Sequence, residues 1–343
     1  MRVDDADAVD GHTGGHGAPG HGAPGAATGS GDPTDAPRPL RGTWYLVPTP
    51  FDEDGELDLA SQGDVVDAAV EWGVDGLTVM GVMSEPTALT DAERTATLRA
   101  IFDAARGRVP IIVGCSAAGA TRAAAYARQA RDMGAVAAMV AAPSLARNAD
   151  LMPAFYAAVR REGGLPLLLQ DEPAATGVLL PVSVLVACAA ASGSRAIKVE
   201  DPPTPTKIGR LHAMDPSLAL FGGLGGMAAL SELRRGAAGT MTGFAYPEVM
   251  RAIRVEAEEG RWDRAAAIFD RFLPLIVFEA QVSVGLAVRK EVLRRRGAIR
   301  CNVTRGVNRR IDLESAAELD HILARIRVTP SRAPFVPLAP AAP

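Results

Sequence analysis

Lys198 sits in Ala196-Ile197-Lys198-Val199-Glu200, a short apolar run that reads as a buried strand with an amine set into it. The chain has only three lysines, Lys198, Lys207 and Lys290, against 33 arginines, so arginine supplies plain positive charge almost everywhere. An amine differs from a guanidinium in that burial readily strips its proton and leaves a nucleophile near neutral pH. The chemistry this allows is attack on a carbonyl carbon to form a Schiff base. The competing reading is a lysine at a frayed strand end with its ammonium in water. Glu200 lies two residues on, so in a strand its carboxylate shares the face of Lys198 and can hold or take the amine's proton.

Further polar residues gather where apolar runs end: Gly81-Val82-Met83-Ser84-Glu85, Pro143-Ser144-Leu145, Gln170-Asp171-Glu172-Pro173, Gly222-Gly223-Leu224-Gly225-Gly226 and Thr240-Met241-Thr242. Beside Lys198, the catalytic candidates are Glu200 and Ser84, with Glu85, Asp171 and Ser144 as further groups able to move a proton. The substrate-binding candidates are Glu85, Ser144, Gln170, Asp171, Gly223, Thr240 and Thr242. Glu85 has a competing structural role, fixing its own loop through backbone N–H groups, and that role is favoured. The glycine-rich turn around Gly223 precedes a helix and could lay backbone N–H groups around a carboxylate. Thr240 and Thr242 alternate with Met241, so they share one face and could meet a substrate. Arg289 to Arg296 reads as a solvated or subunit-facing helix, and Cys115, with no histidine near it in sequence, as packing.

These residues need a frame that brings strand ends together. Strand-like runs are expected at Thr43 to Pro48, Gly76 to Met80, Val109 to Gly114, Val136 to Ala142, Leu165 to Gln170, Ala196 to Glu200, Leu218 to Phe221 and Gly239 to Thr242. Amphipathic helical stretches such as Leu59 to Trp72, Asp91 to Arg106 and Thr121 to Met133 alternate with them, and Thr90 with Glu93 forms a capping box. Eight such strands over roughly 200 residues predict an α/β fold, a (β/α)8 TIM barrel with its catalytic groups at the carboxyl ends of the strands. A doubly wound sheet would alternate likewise, but the first strand leads into Thr49-Pro50-Phe51-Asp52-Glu53-Asp54-Gly55 rather than a glycine-rich phosphate turn. The expected organisation is a disordered Gly/Pro/His-rich tail over 1–41 and a barrel over 42–245. A helical appendix over 246–328, helical throughout, and a flexible Pro/Ala-rich tail over 329–343 complete it.

Composition excludes several classes. Net charge is -4 with mixed signs, which gives no basic footprint for nucleic acid or for a membrane surface. No apolar run approaches the roughly 18 residues that span a bilayer. Cys115, Cys188 and Cys301 are odd in number and widely spaced, so a reducing, cytoplasmic setting is expected. His12, His16 and His21 fall in the tail and His212 and His321 in predicted helices, with no metal-ligand spacing, so no metal or cofactor is expected.

Val47-Pro48-Thr49-Pro50-Phe51 with Asp54-Gly55, the Gly81-x-x-x-Glu85 turn with Leu89-Thr90 and Glu93-Arg94, Ile197-Lys198, and Gly236-Ala-Ala-Gly239 stand in order and at spacings that resemble the dihydrodipicolinate synthase and N-acetylneuraminate lyase family. The resemblance covers residues 42 to about 300. It implies a homotetrameric barrel in which Lys198 forms a Schiff base with a 2-oxo acid. The family's two threonines after the second strand are replaced by Val82 and Met83, its Pro-Tyr-Tyr segment by Pro143-Ser144-Leu145, and its Tyr-Asn-x-Pro segment by Gln170-Asp171-Glu172-Pro173. Ser84-Glu85, Gln170-Asp171-x-Pro173, Lys198-Val199-Glu200 and Gly239-Thr-Met-Thr-Gly243 look more like its 2-keto-3-deoxy-L-arabonate dehydratase branch. Three functions stay open at this point. They are dehydration of a 2-keto-3-deoxy sugar acid, a pyruvate-dependent aldol addition or cleavage, and an inactive barrel that binds a 2-oxo acid.

Overall fold

Hydrogen-bonded register, strand to strand, runs once round the molecule and closes: β1 pairs with β2 and so on through β8, which pairs back onto β1, every pair parallel. The computed structural model describes residues 40–144, 146, 148–306 and 308–336. The strands are β1 (Gly42–Leu46), β2 (Gly76–Val79), β3 (Ile111–Gly114), β4 (Ala137–Ala141), β5 (Leu167–Asp171), β6 (Ala196–Val199), β7 (Ala219–Gly222) and β8 (Gly239–Thr242). The helices are α1 (Leu59–Glu71), α2 (Asp91–Ala105), α3 (Ala120–Asp132), α4 (Met152–Gly163), α5 (Pro173–Thr176), α6 (Val182–Ser192), α7 (Thr204–Met214), α8 (Ala229–Leu233), α9 (Pro247–Glu258), α10 (Trp262–Glu279), α11 (Gly285–Arg295) and α12 (Leu313–Arg325). The predicted (β/α)8 barrel is what forms, and the capping box of Thr90 and Glu93 opens α2.

Alternation along each strand makes two apolar layers. Trp44, Leu46, Ile112, Met139, Leu168 and Phe221 fill the barrel interior. Tyr45, Leu77, Val113, Val140, Leu169 and Ile197 face outward into the larger layer shared with the helices.

Three boundaries differ from the sequence-based expectation. The barrel does not end at 245: α9 packs on β1 and β8 and is its eighth outer helix. Residues 246–328 are not helical throughout, because α11 stops at Gly297, in the left-handed region at φ 71°, and the chain then runs irregularly to Asp312. That run turns Cys301 and Val303 onto Phe51, a contact a continuing helix would not make. The tail expected over 329–343 is packed in its described part, 329–336. Trp72 Nε1 donates to the Arg332 carbonyl at 2.7 Å, and Phe335 packs edge-on against Phe272 at 4.9 Å. The expected tail over 1–41 lies outside the described residues up to Pro39.

Buried ion pairs tie the appended helices to the barrel. Lys290 Nζ on α11 donates to Glu85 Oε1 at 2.6 Å and to the Val303 carbonyl at 2.8 Å, and it lies 4.5 Å from the Phe51 ring. Arg296 is sandwiched between the Trp72 and Tyr246 rings and pairs with Glu248 at 2.6 Å. Losing one partner of such a pair strands a charge in low dielectric, at a cost of about 3–5 kcal/mol. Lys290→Ala is therefore expected to lower unfolding free energy in urea by about that much, and a loss under about 1 kcal/mol would contradict this account.

Candidate active site

Parity decides which candidates reach the interior. Lys198 follows Ala196 and Gln170 follows Leu168 on the inward faces of β6 and β5, and register sets Lys198 between Gln170 on β5 and Phe221 on β7. Only 2% of Lys198 is exposed, so it is not the frayed-end lysine of the competing reading. Its Nζ lies 2.8 Å from Glu200 Oε2. That oxygen also accepts from Gln170 Nε2 at 2.9 Å, and Glu200 Oε1 accepts the Leu224 N–H at 3.2 Å. The glycine-rich turn thus does hold a carboxylate with its backbone, but the carboxylate is the protein's own. Gly223 is required there, since a Cβ at that position would collide with the Glu200 carboxylate.

Gln170 Nε2 donates a second hydrogen bond, to Glu172 Oε2 at 2.7 Å. One amide therefore bridges two carboxyl groups. Burial pushes Glu172 up to about 7, the negative charge of Glu200 adds to the rise, and Lys198 opposes it. Lys198, Glu200, Gln170 and Glu172 line a cavity of about 340 Å³ at the carboxyl ends of the strands, with Met83 and Arg289 also in its wall. Arg289 reaches in from α11 and lies 3.4 Å from Glu279 Oε2. Burial lowers its pKa and pushes that of Glu279 up to about 7.

Other sequence candidates are placed elsewhere. Ser84 is buried with its hydroxyl donating to the Val47 carbonyl at 2.6 Å, and it does not line the cavity; it fastens the β2 turn to β1. Glu85 spends both oxygens on Lys290 Nζ and the Arg305 N–H, so it anchors α11 and the following loop rather than a substrate. Asp171 falls between the inward Gln170 and Glu172 and faces outward, where Lys207 Nζ lies 2.7 Å away, and burial raises it to about 6. On β8 the inward residue is Met241, so Thr240 points toward the helices, the reverse of the expected face. Thr242 reaches the cavity rim, where its Oγ1 accepts the Phe244 N–H at 3.3 Å. Ser144 is exposed and lines a neighbouring cavity of about 570 Å³, which shares Gln170 and Glu172 with the first. Cys115 is buried and packed, its thiol pushed up to about 12 by desolvation.

Two site residues were missed from sequence. Glu172 carried a signal, since it stands two residues beyond Gln170 and keeps its inward parity. Arg289 carried none: it was read as part of a solvated helix, whereas α11 buries Arg289, Lys290 and Glu291. Among the described residues no group of three or more His, Cys, Asp and Glu could hold a metal ion, and no helix is long and apolar enough to cross a membrane.

Fold and site together define a (β/α)8 enzyme built around a buried amine in the mouth of its barrel. The model of the Dihydrodipicolinate synthetase family matches residues 39–325, and the chain belongs to that family; it is a lyase. It is 34% identical over 293 residues to the L-2-keto-3-deoxyarabonate dehydratase of Azospirillum brasilense, covering 83% of this chain and 94% of that protein. It is 34% identical over 235 residues to the 4-hydroxy-tetrahydrodipicolinate synthase of Xanthomonas axonopodis pv. citri, covering 66% and 76%. The dihydrodipicolinate synthase structure from Rhodopseudomonas palustris superposes with a TM-score of 0.79 at 32% identity, covering 83% of this chain and 97% of that one.

Behind the site, Glu232 is buried, accepts the Thr204 hydroxyl at 2.5 Å and is pushed up to about 7 by burial, which outweighs the Thr204 bond, with Glu200 adding to the rise. A carboxyl raised in the folded state lends stability that is full below its ordinary value of 4.5 and is lost as pH climbs through about 7. Wild-type unfolding free energy should therefore fall across that window by a share on the order of 1–3 kcal/mol that Glu232→Gln lacks. Equal slopes in the two proteins, from urea melts at a series of pH values, would show that Glu232 is not the group responsible.

Proposed function

We propose that this chain is a Schiff-base-forming lyase acting on a 2-oxo acid, and that its reaction is dehydration of a 2-keto-3-deoxy sugar acid. The observation that carries the reading is the Lys198 amine, buried in the cavity wall 2.8 Å from the Glu200 carboxylate. Glu200 takes the amine's proton, and Nζ attacks the substrate ketone with loss of water to give an iminium. The Arg289 guanidinium in the same cavity wall is the group suited to the substrate carboxylate, in place of the threonines that Val82 and Met83 displace. The iminium withdraws electrons from carbon 3, so a proton leaves there and the resulting enamine expels the hydroxyl at carbon 4. No cofactor enters this chemistry. The Azospirillum dehydratase supports this choice of reaction.

The synthase relatives favour a second reading, in which the same lysine carries an aldol addition or cleavage of a pyruvate unit. A barrel that only binds 2-oxo acids is disfavoured by the lysine and carboxylate pair, which binding alone does not need. The homo-oligomer and the cytoplasmic, reducing setting expected from the sequence belong to this same proposal.

Incubation with pyruvate and borohydride, followed by peptide mass spectrometry, is expected to place a reduced pyruvyl adduct on Lys198. Its absence would sink both enzymatic readings. With 2-keto-3-deoxy-L-arabonate, the dehydrated keto product is expected; free pyruvate plus an aldehyde would favour cleavage instead.

A further inference from the structure

Glu200 is the evident proton-transfer group beside Lys198, yet the structure has committed it. Its carboxylate accepts from Gln170 Nε2 and the Leu224 N–H, and it is ion-paired with Lys198 Nζ at 2.8 Å. These contacts hold the carboxylate against the amine, so its position suits the proton of the amine rather than a carbon further along the substrate. Of the hydroxyls that sequence offered for that second task, Ser84 donates to the Val47 carbonyl, and Ser144 lines the neighbouring cavity and not the one that holds Lys198.

Glu172 has the opposite situation. Among the described residues it accepts one hydrogen bond, from Gln170, and it lines the Lys198 cavity from the β5 side. Gln170 fixes it relative to Glu200, because a single amide nitrogen contacts both carboxyl groups, at 2.7 and 2.9 Å. We infer that Glu172 is the catalytic acid and base at carbons 3 and 4 of the substrate, with Glu200 confined to the proton of the lysine. The inference rests on the Schiff-base reading and assigns a residue within it.

The step balances with one carboxyl group. The Glu172 carboxylate takes the carbon 3 proton of the iminium, and the C–H electron pair becomes the enamine double bond while the iminium nitrogen is neutralised. The enamine then pushes its pair into a double bond between carbons 3 and 4, the bond from carbon 4 to oxygen breaks, and the proton on Glu172 leaves with the hydroxyl as water. The iminium is regenerated, and hydrolysis frees Lys198. A group that must both accept and donate works best when its pKa lies near the working pH, which the half-buried position of Glu172 provides. The charged groups facing it are Lys198 from β6, Glu200 just after it and Arg289 from α11, with Asp91, Arg94 and Arg122 across the neighbouring cavity.

Pyruvate tests this without knowledge of the natural substrate, because its methyl protons exchange with solvent once an enamine forms. In the full chain in D2O, proton NMR should show Lys198-dependent exchange whose rate rises with pH through about 7 and then levels. Glu172→Gln should still give the borohydride adduct on Lys198 in wild-type yield, while exchange falls by about 100-fold or more and its pH limb disappears. Glu172→Asp, which keeps a carboxyl, should recover part of the rate. Exchange in Glu172→Gln within about threefold of wild type, a limb that persists in it, or loss of the adduct together with exchange overturns the inference. Wild-type protein that forms the adduct but exchanges no protons overturns it as well and leaves the Schiff base standing. Absence of the adduct in wild type removes the Schiff-base reading itself, and this inference with it.

Discussion

A lysine and a glutamate buried side by side in a barrel interior are costly to desolvate, and only good geometry with further hydrogen bonds offsets that cost. Lys198 and Glu200 meet the condition through two neighbours. Gln170 is in register with Lys198 on the adjacent strand, and Leu224 presents its N–H from a turn that Gly223 allows to approach. Much of the site follows from keeping that pair dry but satisfied. The turn after β7 must be glycine-rich, position 170 must supply an amide, and β6 must alternate so that 198 and 200 fall on one face.

The appended helices take part in the same arrangement. α11 runs past the barrel mouth and sends Arg289 into the cavity, while the next residue, Lys290, is locked onto Glu85 in the turn after β2. The adjacent polar residues thus divide the work: one reaches the cavity, the other fixes the helix that carries it. Lysine is used at three positions only, and at each it is paired with carboxylates: Lys198 with Glu200, Lys207 with Asp171 and Asp201, Lys290 with Glu85. A compact ammonium fits these narrow pairings, and arginine supplies most of the remaining positive charge, at the surface and at a few buried sites such as Arg289 and Arg296.

The barrel was legible because strand and helix periods alternate eight times, and Lys198 because an amine interrupts an apolar strand. Short-range parity also carried Gln170 and Glu200. It misled at β8, where the polar threonines suggested the inward face, although a small barrel interior prefers the bulky Met241 and leaves Thr240 to the helices. Asp171 was drawn in by its neighbours in the motif, whereas alternation turns it outward to Lys207. Arg289 and the anchoring role of Glu85 depend on contacts some 200 residues apart in sequence, which no local pattern encodes.

The account stands on Lys198 as the amine that bonds to substrate. The most direct measurement is a crystal structure of the protein reduced with borohydride in the presence of pyruvate. It should show continuous density from Lys198 Nζ into the cavity between Glu172, Glu200 and Arg289, with the pyruvyl carboxylate toward Arg289. An unmodified Lys198, or the adduct on Lys207 or Lys290, would contradict it.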